Sequence, residues 1–231
     1  MRLDQFVANS TTLSRKDAKR AIAAGRVRVN DKPCKQARQH ISAHDRVQLD
    51  HQPVVVPEEL YLMMNKPAGV ISATTDSTQP TALDLLPVDL SARVHIAGRL
   101  DKDTTGLLLL TSDGQWSHRI TSPRRDCPKT YRVSLAEPFG ESARKQLEEG
   151  VLLKGEDTPT KPASVVQHAD TMLDLTIHEG RYHQVKRMLA AVGNRVTALH
   201  RQKIGPVTLD ERLSPGEFRP LTADEIQAFN G

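Results

Sequence analysis

His95-Ile96-Ala97-Gly98-Arg99-Leu100-Asp101-Lys102-Asp103-Thr104-Thr105-Gly106-Leu107-Leu108-Leu109-Leu110-Thr111 runs from a polar loop with two acids into an apolar strand, Leu107 to Thr111. The loop opens like a calcium site, D-x-D-x-T-G. That site needs a bidentate acid at its twelfth position, which here is Ser112, and the apolar strand takes up positions that should carry ligands. The calcium reading fails on both counts. On spacing alone, a polar turn in which Asp101 caps a local bend is the simpler reading.

Around this stretch the pattern is strand-rich. Tyr61 to Asn65 reads as a short buried strand followed by a loop entry, Lys66 to Val70. Tyr131 to Leu135 and the alternating Met172 to Ile177 are further strands. Ser142 to Glu149 reads as a helix. Val185, Met188, Leu189 and Val192 have i, i+3, i+4, i+7 spacing, the stripe of an amphipathic helix ending near Gly193. Thr222 and Glu225 form a capping box that opens a last helix. Strands outnumber helices and do not alternate regularly with them. This predicts an α+β fold whose main domain, residues 60–231, is a mixed, mainly antiparallel sheet flanked by helices.

Residues 1–50 read as a separate small unit. Leu3, Phe6 and Val7 mark a short amphipathic helix. Ser14 is an N-cap for a second helix with Ala18, Ala21 and Ile22 on one face, and Arg15, Lys16, Lys19 and Arg20 on the other. Gly25 is a natural helix stop. Arg26 to Asp31 alternates as a strand entering a turn, and Asp45 to Leu49 closes the unit. The segment 51–59, bracketed by Pro53 and Pro57, reads as a linker.

The charge distribution separates the two parts. Residues 1–50 hold 11 Lys and Arg against 5 Asp and Glu, while the other 181 residues hold 21 against 23. A basic module beside a near-neutral body fits a nucleic-acid anchor, although charge alone favours a solvated basic face. Hydrophobic and charged contents of 38% and 26% are those of an ordinary soluble protein. No apolar run approaches membrane-spanning length, so no membrane association is expected. The start, MRLDQFVANS, lacks the apolar core of a secretory signal. Cys34 and Cys127 have neither C-x-x-C spacing nor a histidine pair beside them. This suits a cytoplasmic location and excludes a disulfide framework and a structural zinc site.

Helix, basic helix, glycine, "GRVRVND" and a closing D-R-V-Q-L strand together resemble the S4 RNA-binding domain. In that family the second helix and the following turn bind RNA phosphates, which implies Arg15, Lys16, Lys19, Arg20, Arg26 and Arg28 as contacts. A row of cations on one helix face matches the counterion-releasing contacts of a phosphate backbone.

"GRLDKDTTGLLLLTSDG" is similar to the G-R-L-D-x-x-T-x-G-L-L-L signature of the RsuA/RluA pseudouridine synthases. The resemblance implies that Asp101 is the essential carboxylate and gives Asp103 no catalytic part. "NKPAGV" (65–70) resembles that family's opening motif, a structural loop beside the active site. "KTYRV" (129–133) resembles the segment whose tyrosine lines the base pocket, here Tyr131. "EGRYHQVKRMLAAVGNRV" (179–196) resembles the closing motif, which supplies a basic partner for the aspartate. On the helical wheel Arg187 lies opposite the Val185 stripe. Lys186 sits on its flank, about 100° from Val185, so wheel and motif both select Lys186. Arg181 and Arg187 are then expected on phosphate, and Arg99 is expected to hold the flipped-out region. His178 and His183 lack a third metal ligand, and the closing motif accounts for them.

The resemblance implies an isomerase that breaks the uridine C1′–N1 bond, turns the uracil and rejoins it through C5. That conversion has no redox change and no group donor, so no cofactor or metal is expected. Asp101 could attack a ring carbon, attack C1′ or drive elimination to a glycal. The S4-like start, the length and "DGQWSHRITSPRRDCPKTY" look closest to the RsuA-type members, which modify uridine-516 of 16S rRNA. The expected partner is thus 16S rRNA, free or in an assembling small ribosomal subunit, and nothing calls for more than a monomer. The competing readings are an enzyme of the same chemistry on 23S rRNA and a non-catalytic rRNA-binding or ribosome-assembly factor.

Overall fold

The computed structural model describes residues 1–42, 44–55 and 58–230. They form two compact units, Met1–Glu58 and Glu59–Gly231.

In the first unit, helices α1 (Leu3–Ser10) and α2 (Arg15–Ala23) precede strands β1 (Val27–Val29), β2 (Lys32–Pro33), β3 (Val47–Leu49) and β4 (Gln52–Pro53). The strands form an antiparallel sheet in the order β2-β1-β3-β4. Leu3, Phe6 and Val7 of α1 pack with Ala18, Ala21 and Ile22 of α2 and with Val27, Val29 and Val47 of the sheet. Ser14 caps α2 by accepting from the Asp17 amide at 3.2 Å, which satisfies a donor the helix leaves free. Asn30–Asp31 and Asp50–His51 have φ of +50° and +66° each. Such paired left-handed residues close two-residue hairpins whose twist matches that of the strands.

The second hairpin corrects the expected linker. Gln52 and Pro53 pair with Leu49 and Gln48, so the start of 51–59 is an edge strand of the first unit. Pro53 is tolerated there because an edge strand need not use every amide. The Asp50–His51 turn lacks the glycine that usually marks a hairpin, which hides it in the sequence. Pro57 of the same segment lies outside the described residues.

The second unit contains β5 (Tyr61–Lys66), α3 (Val88–Ser91), β6 (His95–Ala97), β7 (Thr105–Thr111), α4 (Gly114–Thr121), β8 (Lys129–Leu135) and α5 (Glu141–Glu149). There follow β9 (Ser164–Ala169), β10 (Met172–Ile177), α6 (Gln184–Ala191), β11 (Val196–Ile204), β12 (Val207–Thr208), β13 (Phe218–Pro220) and α7 (Ala223–Gln227). The sheet runs β13-β5-β7-β11-β8-β10-β9, with β6 also on β7 and β12 also on β11. β7 and β11 pair in parallel, and the other pairings among the described strands are antiparallel. The class is therefore α+β, with a mixed, mainly antiparallel sheet.

β7 explains why helices cover the sheet on both sides. Successive side chains of a strand point to opposite faces. Leu108 and Leu110 accordingly join one core with Val133, Leu175, Val185 and Leu189. Leu107 and Leu109 join another with Trp116, Ile120, Ile204 and Phe229. All four leucines are fully buried. Their run thus reports a strand covered on both faces.

Candidate active site

Asp101 lies on the loop between β6 and β7, and that loop is tied down through its main chain. The Ser72 hydroxyl donates to the Leu100 carbonyl at 2.8 Å and accepts from the Leu100 amide at 3.0 Å. The Gly69 amide donates to the Lys102 carbonyl at 2.8 Å, which brings the Asn65–Val70 loop beside Asp101. Two buried cations hold the flanks. Lys66 Nζ donates to the carbonyls of Pro67 and Thr104 at 2.8 Å and of Lys102 at 3.4 Å. Arg201, on β11, donates to the carbonyls of Gly98 at 3.1 Å, Arg99 at 3.3 Å and Leu107 at 2.8 Å. Both side chains are almost wholly inaccessible to solvent.

Burial pushes the Lys66 ammonium down to about 8, against the opposing charges of Asp103 and Asp101. The folded value lies below the ordinary 10.5, so the unfolded chain binds more protons between those limits. The linked contribution to stability therefore rises with pH across that window. Replacing Lys66 by methionine strands the carbonyls it holds and is expected to cost about 1–3 kcal/mol. Urea unfolding should show the advantage of wild type over Lys66→Met widening from neutral pH to the alkaline end of the window. A pH-independent difference would mean that Lys66 titrates alike in both states.

Lys186 and His183 close around Asp101. Lys186 Nζ is 3.3 Å from Asp101 Oδ2, and His183 Nε2 is 3.4 Å from Asp101 Oδ1. The tighter partner of Lys186 is Asp103, at 2.5 Å. That hydrogen bond holds the Asp103 carboxyl below its usual range, with burial opposing it. Burial also draws the Lys186 ammonium down, but Asp103 and the Asp101 charge outweigh it and leave it raised. Lys186 is thus a cation shared between two carboxylates. Asp103 takes the close contact, and Asp101 stands at the longer distance while still facing positive charge. Asp101 and Lys186 line a cavity of about 830 Å³ with Tyr131 of β8, Arg99 and Leu100. Small-molecule sites run from roughly 300 to 1,000 Å³. Tyr131 is 8% exposed, and the Arg201 guanidinium carbon lies 6.0 Å from its ring centroid.

Residues 60–191 match the RNA pseudouridylate synthase family, and residues 1–47 match the S4 domain. The chain belongs to the RNA pseudouridylate synthase family. The ribosomal small subunit pseudouridine synthase A of Haemophilus influenzae is 49% identical to it over 228 residues, 98% of either chain. The protein of that name from Escherichia coli is 48% identical over 227 residues, again 98% of either chain. A crystal structure of a pseudouridylate synthase superposes with a TM-score of 0.73 at 47% identity, over 99% of both chains.

The synthase does not place every expected residue where its sequence suggests. Arg181 and Arg187, expected on phosphate, are engaged inside the fold. Arg181 bonds Glu156 at 2.5 Å, Glu179 at 3.1 Å and the carbonyls of Thr158 and Pro159 at 2.9 and 2.7 Å. Arg187 pairs with Glu156 at 2.6 Å and donates to the carbonyls of Tyr182 and Lys154. The segment carrying Glu156 folds back over the face of α6 that the helical wheel gives to solvent, so both arginines are braces. Arg99 is exposed at the cavity rim.

In the S4 domain of the synthase, Arg15, Lys16, Lys19 and Arg20 are exposed along α2. Buried Asp4 lies 4.0 Å from both Arg15 and Lys19 and fixes their side of the helix. Arg26 forms a two-pronged pair with Asp50, and Arg28 donates to the Asp31 carbonyl. Three residues that touch the Asp101 loop escaped the sequence reading: Lys66, Arg201 and His183. Lys66 stands in the opening motif as a plain lysine. Arg201 lies on β11, a strand that the sequence reading did not mark. His183 reaches Asp101 because its own backbone is left-handed, φ +46°, which no local signal announces. His178 instead faces Asp126, at 3.1 Å.

Proposed function

We propose that the synthase converts one uridine of 16S rRNA, the uridine-516 type site, to pseudouridine, with Asp101 acting on a flipped-out nucleotide. The observation that carries this is a carboxylate held between Lys186 and His183 on the wall of a nucleotide-sized cavity. The full-length similarity to proteins named ribosomal small subunit pseudouridine synthase A supports the substrate class.

The target must leave its helix to reach the cavity, at a cost of roughly a few kcal/mol that protein contacts offset. Arg99 at the rim suits a phosphate beside the target, and the exposed cations of α2 suit RNA phosphates in their own right. Inside, the C1′–N1 bond breaks, the detached uracil turns, C5 bonds to C1′, and the proton lost from C5 is matched by one taken up at N1. Asp101 supplies the negative charge that meets the sugar or the ring as N1 leaves. Lys186 remains protonated and steadies that carboxylate between steps. Tyr131 packs against the uracil and stands by the route of the C5 proton. A wall of Leu100, Ile177 and Leu199 flanks the free base and hinders its escape.

Purified protein incubated with unmodified 16S and 23S rRNA, followed by pseudouridine mapping, tests the proposal. A single new pseudouridine in 16S rRNA at the uridine-516 site is expected. Modification confined to 23S rRNA would keep the chemistry and remove the substrate assignment.

A further inference from the structure

Tyr182 has no part in the chemistry above and is unusually placed. The chain has one Trp, three Tyr and four Phe. Seven of these rings are buried or partly buried, and Tyr182 alone is exposed, at 76%. It sits on the wall of the Asp101 cavity. One face of its ring stacks on His183, with centroids 3.8 Å apart and planes 21° from parallel. His183 in turn reaches Asp101 at 3.4 Å. Tyrosine ring, imidazole and carboxylate therefore form a series that leads from the surface to the reacting centre.

The backbone that presents the ring is fixed. Arg187 donates to the Tyr182 carbonyl at 3.1 Å. The Arg181 amide donates to the Gln184 side chain at 2.8 Å, and the Arg181 guanidinium is locked by Glu156 and Glu179. His183 holds a left-handed backbone, φ +46°. A bulky ring held open to water on a braced, strained turn costs stability without filling a core, and such outliers concentrate where a ligand is met.

We infer that Tyr182, backed by His183, is a stacking platform for the nucleobase next to the target nucleotide. The inference rests on the proposed RNA substrate. The inner face of Tyr182 is taken by His183, so the target uracil in the cavity cannot use it, whereas the outer face is open. Flipping a nucleotide strips its neighbour of a stacking partner, and an aromatic ring replaces that contact for any base because every base has a π face. Exposed Arg99 and Lys102 on the same cavity suit the phosphates between the two nucleotides. The platform thus holds the strand in its flipped form and adds little sequence preference.

The test uses full-length wild type, Tyr182→Ala and Tyr182→Phe, with a 16S rRNA transcript as substrate and uridine 5′-monophosphate as a ligand without a neighbouring base. Tyr182→Ala is expected to raise KM for the RNA roughly ten-fold or more, with kcat little changed and the melting temperature unaltered. Tyr182→Phe keeps the π face and should match wild type, and all three proteins should bind the mononucleotide alike. A KM for Tyr182→Ala equal to that of wild type overturns the platform. So does a Phe variant as impaired as the Ala variant, which would assign the effect to the hydroxyl. If wild type forms no pseudouridine in this RNA, the proposed function falls first and the platform falls with it.

Discussion

Asp101→Asn is expected to lower pseudouridine formation by about 10⁴-fold or more, the scale seen when a group central to a covalent mechanism is removed. Affinity for the RNA should hardly change. Asparagine keeps the shape of the side chain and loses the charge and the nucleophilic oxygen. The fold has little reason to respond, since the closest contact of Lys186 is Asp103, at 2.5 Å, and that pair survives. The loop path also survives, because its anchors grip the backbone on either side of residue 101. Rates of pseudouridine formation under saturating enzyme, beside filter binding of the same RNA, give the two numbers required. A variant within about ten-fold of wild type in rate would take Asp101 out of the chemistry. A variant that loses binding and rate together would make it a substrate-holding residue.

Gly106→Ala should have the largest effect on folding. Gly106, the second residue of β7, has φ +103°, and a Cβ there would lie 2.3 Å from the Arg201 carbonyl oxygen and 2.8 Å from its amide nitrogen. Both atoms belong to the backbone of a central strand, so neither can swing aside. Gly106 and Arg201 are also partners where β7 and β11 run parallel, and the clash would pry apart the middle of the sheet. Backbone strain and overpacking at about 1–3 kcal/mol each give a loss of about 3–5 kcal/mol. In a chain of this size the melting temperature should fall by about 10 °C or more. The loss should appear in the transition of the second unit, while the first unit, Met1–Glu58, unfolds as before. Calorimetry of the intact protein resolves this. A shift of a degree or two would mean that the β7–β11 contact relaxes at little cost.

The sequence was most legible where the signal is local. The Ser14 cap, the Thr222–Glu225 capping box and the stripe of α6 each depend on residues within a turn or two, and each stands where it was read. The flank position of Lys186 followed from one helical repeat, and its ammonium does lie beside Asp101. β11 shows the opposite case. It is central in the sheet, yet its pairing with β8 slips between Val196 and Ala198 and again between Arg201 and Lys203. Each slip breaks the two-residue alternation by which a strand is recognised. Its fully buried arginine adds a charge where an apolar residue is expected. Arg201 is tolerated because backbone carbonyls satisfy it, and those carbonyls belong to β7 and the loop before it, about a hundred residues earlier in the chain. The competition of Asp103 with Asp101 for Lys186 was equally hidden, since the motif distinguishes the two acids by position and the ammonium does so by distance.

The anchors of the Asp101 loop have a consequence for how such an enzyme can change over generations. Ser72, Gly69, Lys66 and Arg201 all grip main-chain atoms of residues 98 to 104. Main-chain atoms are the same whatever side chain is attached. The course of the loop is therefore uncoupled from the identities of Arg99 and Lys102, which face the solvent. Substitutions at those two positions can change the charge that the loop presents to solvent while the aspartate between them keeps its place.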